Sequence, residues 1–362
     1  MGRTRRASTA SAIGAESGRG TRARAGVAVV IPAYNEEASI ADTIRSVQGQ
    51  TRPPDEIIVV DDCSKDRTGE IARSLGVTVL RPPSNGGSKA KALNFALAHV
   101  SSDITLAIDG DTVLAPDAIE RLLPAFDDPK VGGACGAVIP RHVRTMWERG
   151  RYIEYLFAFT LHKPIQDYYD RPLIASGCFS AHRTALLRKH GGWNTRTVAE
   201  DMDLTWTMFE SGYKVRYVPE AVSYPIEPHN FHFMSKQLSR WCAGFLQCTR
   251  VHWKELLHVP VLRSAVAVGL WDATVASLAF LVAVPLLSVF VSPLFLLVYL
   301  LDLPAVLVPV LFKAHQRGEV GRALRSMPGF FVLRFVNAYF MLKAMWSEWI
   351  VRERMVRFEK GH

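Results

Sequence analysis

Val27-Ala28-Val29-Val30-Ile31-Pro32-Ala33-Tyr34-Asn35-Glu36-Glu37 is a short β-branched run stopped by proline and followed by polar residues that open a helix, expected from about Glu36 to Gln48. The same grammar continues downstream. A buried strand at Glu56–Val60 closes on Asp61-Asp62, and another at Val77–Leu80 closes on Arg81-Pro82-Pro83. A helix follows over Lys89–Val100, then a strand at Ile104–Ile108 that ends on Asp109. Strands alternating with helices predict an α/β fold with a parallel, doubly wound sheet. Ligands of such sheets bind at the carboxyl ends of the strands. Tyr34-Asn35-Glu36, Asp61-Asp62 and Asp109-Gly110-Asp111 all fall at those ends, which predicts one site built from the three.

Residues 131–255 read as mixed: a strand over Val131–Ile139 and helices over Thr145–Leu161, Glu200–Glu210 and Phe231–Trp253. The last sets Trp241, Phe245 and Leu246 among Lys236, Arg240 and Arg250, a mixture suited to a membrane surface. From Arg263 to Lys313 only Asp272 and Asp302 interrupt an apolar run. Spanning helices need about 20 apolar residues, so Ala265–Val289 and Leu294–Phe312 predict a transmembrane hairpin within 264–312. Lys254 and Arg263 precede it and Lys313, Arg317, Arg322 and Arg325 follow, which places both ends, and the catalytic domain, in the cytoplasm. A further segment, Pro328–Ile350, is broken by Arg334 and Lys343 and either lies in the interface or spans. The region 328–362 ends in a basic tail.

The formal charge of the 362-residue chain is +9. Its excess lies in residues 1–25 and after residue 312, outside the region with site-like residues, which favours a membrane surface over nucleic acid as partner. Residues 1–25 carry no apolar core of a signal peptide and read as a disordered basic tail, a transit peptide being the alternative. The cysteines, Cys63, Cys135, Cys178, Cys242 and Cys248, make no CxxC pair, so neither a disulfide framework nor a zinc site is expected.

Each polar cluster has a chemical reading and a plainer one. Asp109 and Asp111, flanking Gly110, present two hard oxygen ligands to one Mg²⁺ or Mn²⁺ on a nucleotide diphosphate; they also suit a polar turn. Glu36 and Glu37 suit a helix N-terminus, which leaves Tyr34 unexplained. Ser64 or Asp66 can cap a helix while Asp62 meets a ligand. Asn85-Gly86-Gly87-Ser88-Lys89 can cradle phosphate or be a flexible turn. Asp201, beside Glu200, can act as a general base or simply favour a helix start. Arg240 can meet diphosphate and Trp241 stack on a sugar ring, or the pair can be a snorkelling arginine beside an interfacial tryptophan.

Taken in order and spacing, these motifs closely resemble the inverting family-two glycosyltransferases of the GT-A fold, over roughly residues 26–255. The nearest branch resembles the membrane-bound synthases of chitin oligomers, hyaluronan or poly-N-acetylglucosamine. The resemblance implies a doubly wound mixed sheet over 26–255 followed by membrane helices. It places Ala33, Tyr34 and Glu36 in the nucleotide pocket, Asp62 at the base, and Lys89 near the base and phosphates. It makes Asp109 and Asp111 the metal pair and Asp201 the general base. It puts Gln237, Arg240 and Trp241 beside the acceptor channel. Cys63 stands where the motif has glycine, Ser88 where glycine is usual, and Ala199 where threonine is usual.

The expected reaction is an inverting displacement in which Asp201 deprotonates an acceptor hydroxyl, better so with a pKa raised by Glu200. The donor is a UDP-sugar, N-acetylglucosamine by resemblance, and the acceptor a polysaccharide or glycan. Many processive synthases have membrane helices ahead of the catalytic domain, and none is read here. That keeps open a single-addition enzyme acting on a polyprenyl-phosphate or glycolipid, and a partner membrane subunit. A non-catalytic nucleotide-binding membrane scaffold is the reading from another class, and nucleotidyl transfer leaves the Gln-x-x-Arg-Trp helix unexplained.

Overall fold

The computed structural model describes residues 25–355, so the N-terminal basic tail and the last residues of the C-terminal one lie outside the described residues. Strands β1 (Val27–Ala33), β2 (Glu56–Asp61), β3 (Thr78–Leu80), β4 (Ile104–Ile108), β5 (Thr112–Leu114), β6 (Val131–Val138), β7 (Phe179–Arg183) and β8 (Lys214–Pro225) form one sheet. Its order is β3-β2-β1-β4-β7-β6-β8-β5. The half from β3 to β4 is parallel, as strand–helix alternation predicts. β7 then runs antiparallel to both β4 and β6, and β5 antiparallel to β8, so the whole sheet is mixed.

β1 shows why the parallel half reads as unbroken apolar runs. Val27, Val29 and Ile31 point into one layer with Ile40, Ile44 and Val47 of the Ile40–Gln48 helix. Ala28 and Val30 point into the other, against Leu93 and Ala96 of the Lys89–Leu97 helix. Both faces of the strand are buried, so no polar residue alternates in. Burying each such valine or isoleucine contributes roughly 1.5–3 kcal/mol. Register levels the strand ends: Ala33 faces Asp61, and Val30 faces Ala107. Three short or polar elements, β5, β7 and β8, are the ones that sequence pattern leaves unassigned. β5 has three residues, and β8 mixes Lys214, Arg216 and Glu220 into its run.

Two apolar helices, Leu262–Phe290 and Pro293–Gln316, are long enough to cross a membrane, with mean hydropathy 2.3 and 2.4 over their most apolar windows. Only 17% and 11% of those windows are buried within the protein. Their turn is at Ser292, whose hydroxyl accepts from the Leu294 amide. The following helix, Val320–Met345, packs against the helices Met146–Phe157 and Phe231–Val251. Leu333, Phe340 and Ala344 join one core with Leu238, Cys242 and Phe245. The charges that break its apolar pattern have local uses. Arg334 pairs with Asp302 at 2.5 Å and lies over the Phe280 ring, 4.7 Å from its centroid.

Two glycines set this docking. A Cβ on Gly329 would lie 2.4 Å from the Met146 carbonyl oxygen, and one on Gly150 would lie 2.8 Å from the Gly329 carbonyl oxygen. Backbone meets backbone there, so neither can give way cheaply. Gly329→Ala is expected to lower stability by about 1–3 kcal/mol, seen as a reduced unfolding midpoint in detergent. Leu324→Ala, on the exposed side of the same helix, should leave the midpoint in place. An unchanged midpoint in Gly329→Ala contradicts the docking.

Candidate active site

The loops after β1 and β2 are tied into one rim. The Asp62 amide donates to the Ala33 carbonyl at 2.9 Å. Asn35 donates its amide to the Ser64 hydroxyl and accepts from the Lys65 amide. Asn35 and Cys63 both adopt positive φ, 56° and 61°. Cys63 occupies the motif position where glycine is expected, and glycine enters this region freely, so the substitution keeps the turn at a cost of about 1 kcal/mol. The two aspartates divide their work. Asp61 is fully buried, held by Arg81 and by the Ser64 amide. Asp62 accepts from the Gly86 amide at 2.8 Å. Burial raises the Asp62 pKa, against the Gly86 hydrogen bond. Asp66, one residue ahead of the N-cap Arg67, accepts from the Thr68 amide at 3.0 Å.

The Glu36 carboxylate is buried and accepts from the Ser39 hydroxyl at 2.8 Å. Its stem lies beneath the Asp-Gly-Asp turn: a Cβ on Gly110 would come within 3.2 Å of Glu36 Cγ. Glu36 thus supports the floor of the β4 loop. Tyr34 is 40% exposed at the rim, and Ala33 is buried at the strand end.

At the centre is Lys89. Ser88 caps its helix, accepting from the Lys91 amide. Lys89 Nζ lies 2.5 Å from Asp109 Oδ1 and 3.8 Å from Glu200 Oε1, and donates to the Gly177 carbonyl at 2.8 Å. Burial lowers the pKa of this ammonium, but Asp109, Glu200 and Asp201 outweigh it and hold the pKa above the usual lysine range. The Gly177 amide donates to Asp201 Oδ2 at 2.8 Å, and the Met202 amide to Oδ1 at 2.8 Å. Lys89, the Gly177 loop, β4 and the Glu200–Glu210 helix therefore meet in one place. The carboxyl pushed up here is Glu200's, by burial first and Asp201 next, with Lys89 and Arg240 opposing. Asp111 is buried as well. The nearby Cys178 thiol is driven well up by burial and then Asp109, and so stays protonated and poorly nucleophilic.

The Gln237-Leu238-Ser239-Arg240-Trp241 helix closes the site from the other side. Buried Arg151 organises it: Nη2 donates to Gln237 Oε1 at 2.9 Å, Nη1 pairs with Glu154 at 2.5 Å, and the guanidinium lies 4.5 Å from the Trp241 ring centroid. One face of Trp241 is thus taken by Arg151. Buried Glu227 accepts from Tyr155 at 2.8 Å and Gln237 at 3.4 Å. Burial raises its pKa to about 7, against Arg151. The Arg240 charge counters the rise of the Glu200 pKa.

The predicted residues Lys89, Asp109 and Asp201 thus converge, with Asp111 buried two residues past Asp109, Asp62 and Tyr34 on the adjoining rim, Gln237 and Trp241 in the Arg151 network, and Arg240 on the same helix as these two. Sequence reading missed Gly177, Arg151, Tyr155 and Glu227. Only the small-residue run Ala175-Ser176-Gly177 hinted at a close approach. Among the described residues no cluster of three His, Cys, Asp or Glu side chains forms a metal cage.

Residues 28–191 match the family model described as glycosyl transferase family 2. The chain is 30% identical over 229 residues to the probable glycosyltransferase YdaM of Bacillus subtilis (strain 168), covering 60% of this chain and 54% of that protein. It is 28% identical over 224 residues to the poly-beta-1,6-N-acetyl-D-glucosamine synthase of Staphylococcus epidermidis, covering 60% and 54%. It spans about half the length of these curated relatives. Mannosyltransferase PcManGT from Pyrobaculum calidifontis, solved in complex with GDP-Man and Mn²⁺, shares the fold with TM-score 0.60 at 20% identity, over 91% of this chain and 88% of that one. The mixed α/β sheet is thus GT-A-like, the fold it shares with that mannosyltransferase. Residues 28–191, which hold β1 to β7, are the part of the chain that is similar to glycosyl transferase family 2.

A Cβ on Gly177 would lie 2.8 Å from Asp201 Oδ2 and 3.0 Å from Lys89 Nζ. Both atoms end side chains that can swing away, so Gly177→Ala is expected to fold with a near-normal midpoint. It should nonetheless lose about 100-fold in turnover by displacing Asp201 and Lys89; wild-type turnover contradicts this placement. Folding keeps Glu227 protonated where the unfolded chain has ionised, so this group's contribution makes stability fall as pH rises from about 4.5 to about 7. Glu227→Gln should flatten that slope in unfolding measured at several pH values.

Proposed function

We propose that this chain is a membrane-anchored inverting glycosyltransferase that moves a sugar from a UDP-sugar onto a glycan acceptor hydroxyl at the cytoplasmic face of a membrane. The observation that carries the reading is the convergence of Lys89, Asp109, Glu200 and Asp201 on the Gly177 loop at the carboxyl edge of the sheet. N-acetylglucosamine is the leading donor sugar, because the Staphylococcus epidermidis relative is named for making its polymer. Anchoring by the 29- and 24-residue apolar helices supports the membrane part, with Arg and Lys on both flanks.

In this reading Ala33, Tyr34 and Asp62 line the nucleotide side, with Glu36 holding the floor. Asp201, fixed by the Gly177 and Met202 amides, takes the acceptor proton as the acceptor oxygen bonds to the anomeric carbon. The bond from that carbon to the nucleotide diphosphate breaks, and Arg240 and Lys89 meet the departing charge. Gln237 and Trp241, braced by Arg151, border the acceptor side.

The donor set fits a divalent cation. Asp109 and Asp111 are two hard carboxylates one residue apart, and the Lys89 ammonium against Asp109 already marks a cation-binding position. Mg²⁺ typically takes one or two protein carboxylates and completes its shell with phosphate and water. Asp109 and Asp111 would hold Mg²⁺ or Mn²⁺, which when bound would neutralise diphosphate charge. The Pyrobaculum calidifontis structure, which holds Mn²⁺ with GDP-Man, supports such a cation here.

UDP release from a panel of UDP-sugars, by full-length protein in detergent, tests this reading. Turnover with one donor, lost on chelation and in Asp201→Asn while that variant still binds donor, is the expected result. Retained turnover in Asp201→Asn, or lost donor affinity, removes Asp201 from the base role. Metal-dependent UDP binding without turnover of any donor favours the scaffold reading.

A further inference from the structure

Arg151, Glu154 and Tyr155 lie at three- and four-residue spacing on the Met146–Phe157 helix, so they share one face. Two of them close a ring with the Gln237-to-Trp241 segment. Arg151 donates to Gln237, the Gln237 amide donates on to Glu227, and Tyr155 donates to the same carboxylate. The Arg151 side chain is 3% exposed, and its guanidinium covers one face of Trp241.

The third residue reaches away from that ring. Glu154 Oε2 pairs with Arg151 Nη1 at 2.5 Å, and its other oxygen, Oε1, accepts from Asn337 Nδ2 on the Val320–Met345 helix. Asn337 stands four residues after Leu333 and three before Phe340, and both of these pack in the core with Leu238, Cys242 and Phe245. Packing alone calls for an apolar side chain there. Asn337 Oδ1 is buried with no hydrogen-bond partner among the described residues, which costs free energy. The donor half of the amide is therefore the half in use. A guanidinium stacked on an indole can still turn in its own plane. Holding one Nη by Gln237 and the other by Glu154 removes that freedom. Glu154 has a long side chain with several rotamers, and Asn337 selects among them. The Gly150–Gly329 approach and the 2.9 Å hydrogen bond from the Tyr152 hydroxyl to Glu319 fix the register of the two helices that brings Asn337 to Glu154.

We propose that Asn337 is a positioning residue for Trp241: its hydrogen bond to Glu154 holds Arg151, and Arg151 sets the plane of the Trp241 ring and the Gln237 amide. The proposal rests on the transferase reading, in which Trp241 borders the acceptor side. The Val320–Met345 helix lies outside residues 28–191, the part matched by the family model, and gains a part in the transfer step beyond its packing.

Full-length protein labelled with fluorotryptophan is studied in detergent by fluorine NMR, with the Trp241 resonance assigned by its loss in Trp241→Phe. The variants are Asn337→Leu, Asn337→His and Glu154→Gln, and UDP release from the UDP-sugar panel is read in the same samples. Asn337→Leu keeps the volume and removes the donor; in Asn337→His a ring N–H replaces it. Asn337→Leu and Glu154→Gln are expected to move the Trp241 resonance and to lower kcat about tenfold, the scale of a small misplacement, with KM for the donor unchanged. Asn337→His should keep both the resonance and kcat near wild type. A fixed Trp241 resonance in Asn337→Leu, or in Glu154→Gln should the first variant not fold, overturns the coupling. So does an Asn337→His variant displaced as far as Asn337→Leu, since packing and not donation would then be what the position supplies. A moved resonance with unchanged kcat, or a loss carried in donor KM, overturns the role in transfer. Wild-type turnover beside a fixed resonance sinks this inference and leaves the transferase reading standing. A moved resonance with no turnover of any donor, wild type included, does the reverse.

Discussion

The buried ammonium of Lys89 is the contact on which the site depends. A cation removed from water is tolerated only if anions and acceptors surround it. Asp109 from β4, Glu200 from the Glu200–Glu210 helix and the Gly177 carbonyl supply that surround. Three segments distant in sequence are thereby fixed to one point. Because Gly177 also donates to Asp201, the same point sets where that carboxylate lies. The charge arrangement is self-consistent: Lys89 stays charged, and burial raises Glu200 instead. A diphosphate with its counter-ion would enter a place already organised for alternating charge.

The C-terminal helices extend this logic outward. The Gly150–Gly329 approach lets the Val320–Met345 helix lie directly on the domain. That helix then presents Lys343 to the same cavity as Arg240, so part of that cavity is built from sequence outside the family-matched region. Pairing Arg334 with Asp302 anchors the apolar hairpin to the same helix. The apolar hairpin and the domain are thus both held by the Val320–Met345 helix.

Much of the parallel half was legible in the sequence, because strands buried on both faces leave uninterrupted β-branched runs. The runs at Ile104–Ile108 and Glu200–Glu210 were placed to the residue. The strand-end carboxylates were legible too, since polar residues seldom cluster after such runs without a reason. Of the other half only β6 was legible, as the strand expected over Val131–Ile139; β7 and β8 are polar or irregular, and their identity comes from pairing partners far away in the chain. Arg151 and Glu227 were hidden for the same reason. Their significance is a network joining residues up to 86 positions apart, as in Arg151 to Gln237, and no local spacing announces it. The segment over Pro328–Ile350 read ambiguously because Arg334 and Lys343 find partners or a cavity that only the packed helices create.

The most direct measurement is a crystal or cryo-EM structure of the full chain with UDP and Mn²⁺, with the metal located by its anomalous signal or density. One Mn²⁺ is expected on Asp109 and Asp111, with Lys89 Nζ moved from Asp109 toward the diphosphate and Asp201 still held by the Gly177 amide. Mn²⁺ bound elsewhere, or UDP seated away from the β1, β2 and β4 ends, would contradict it.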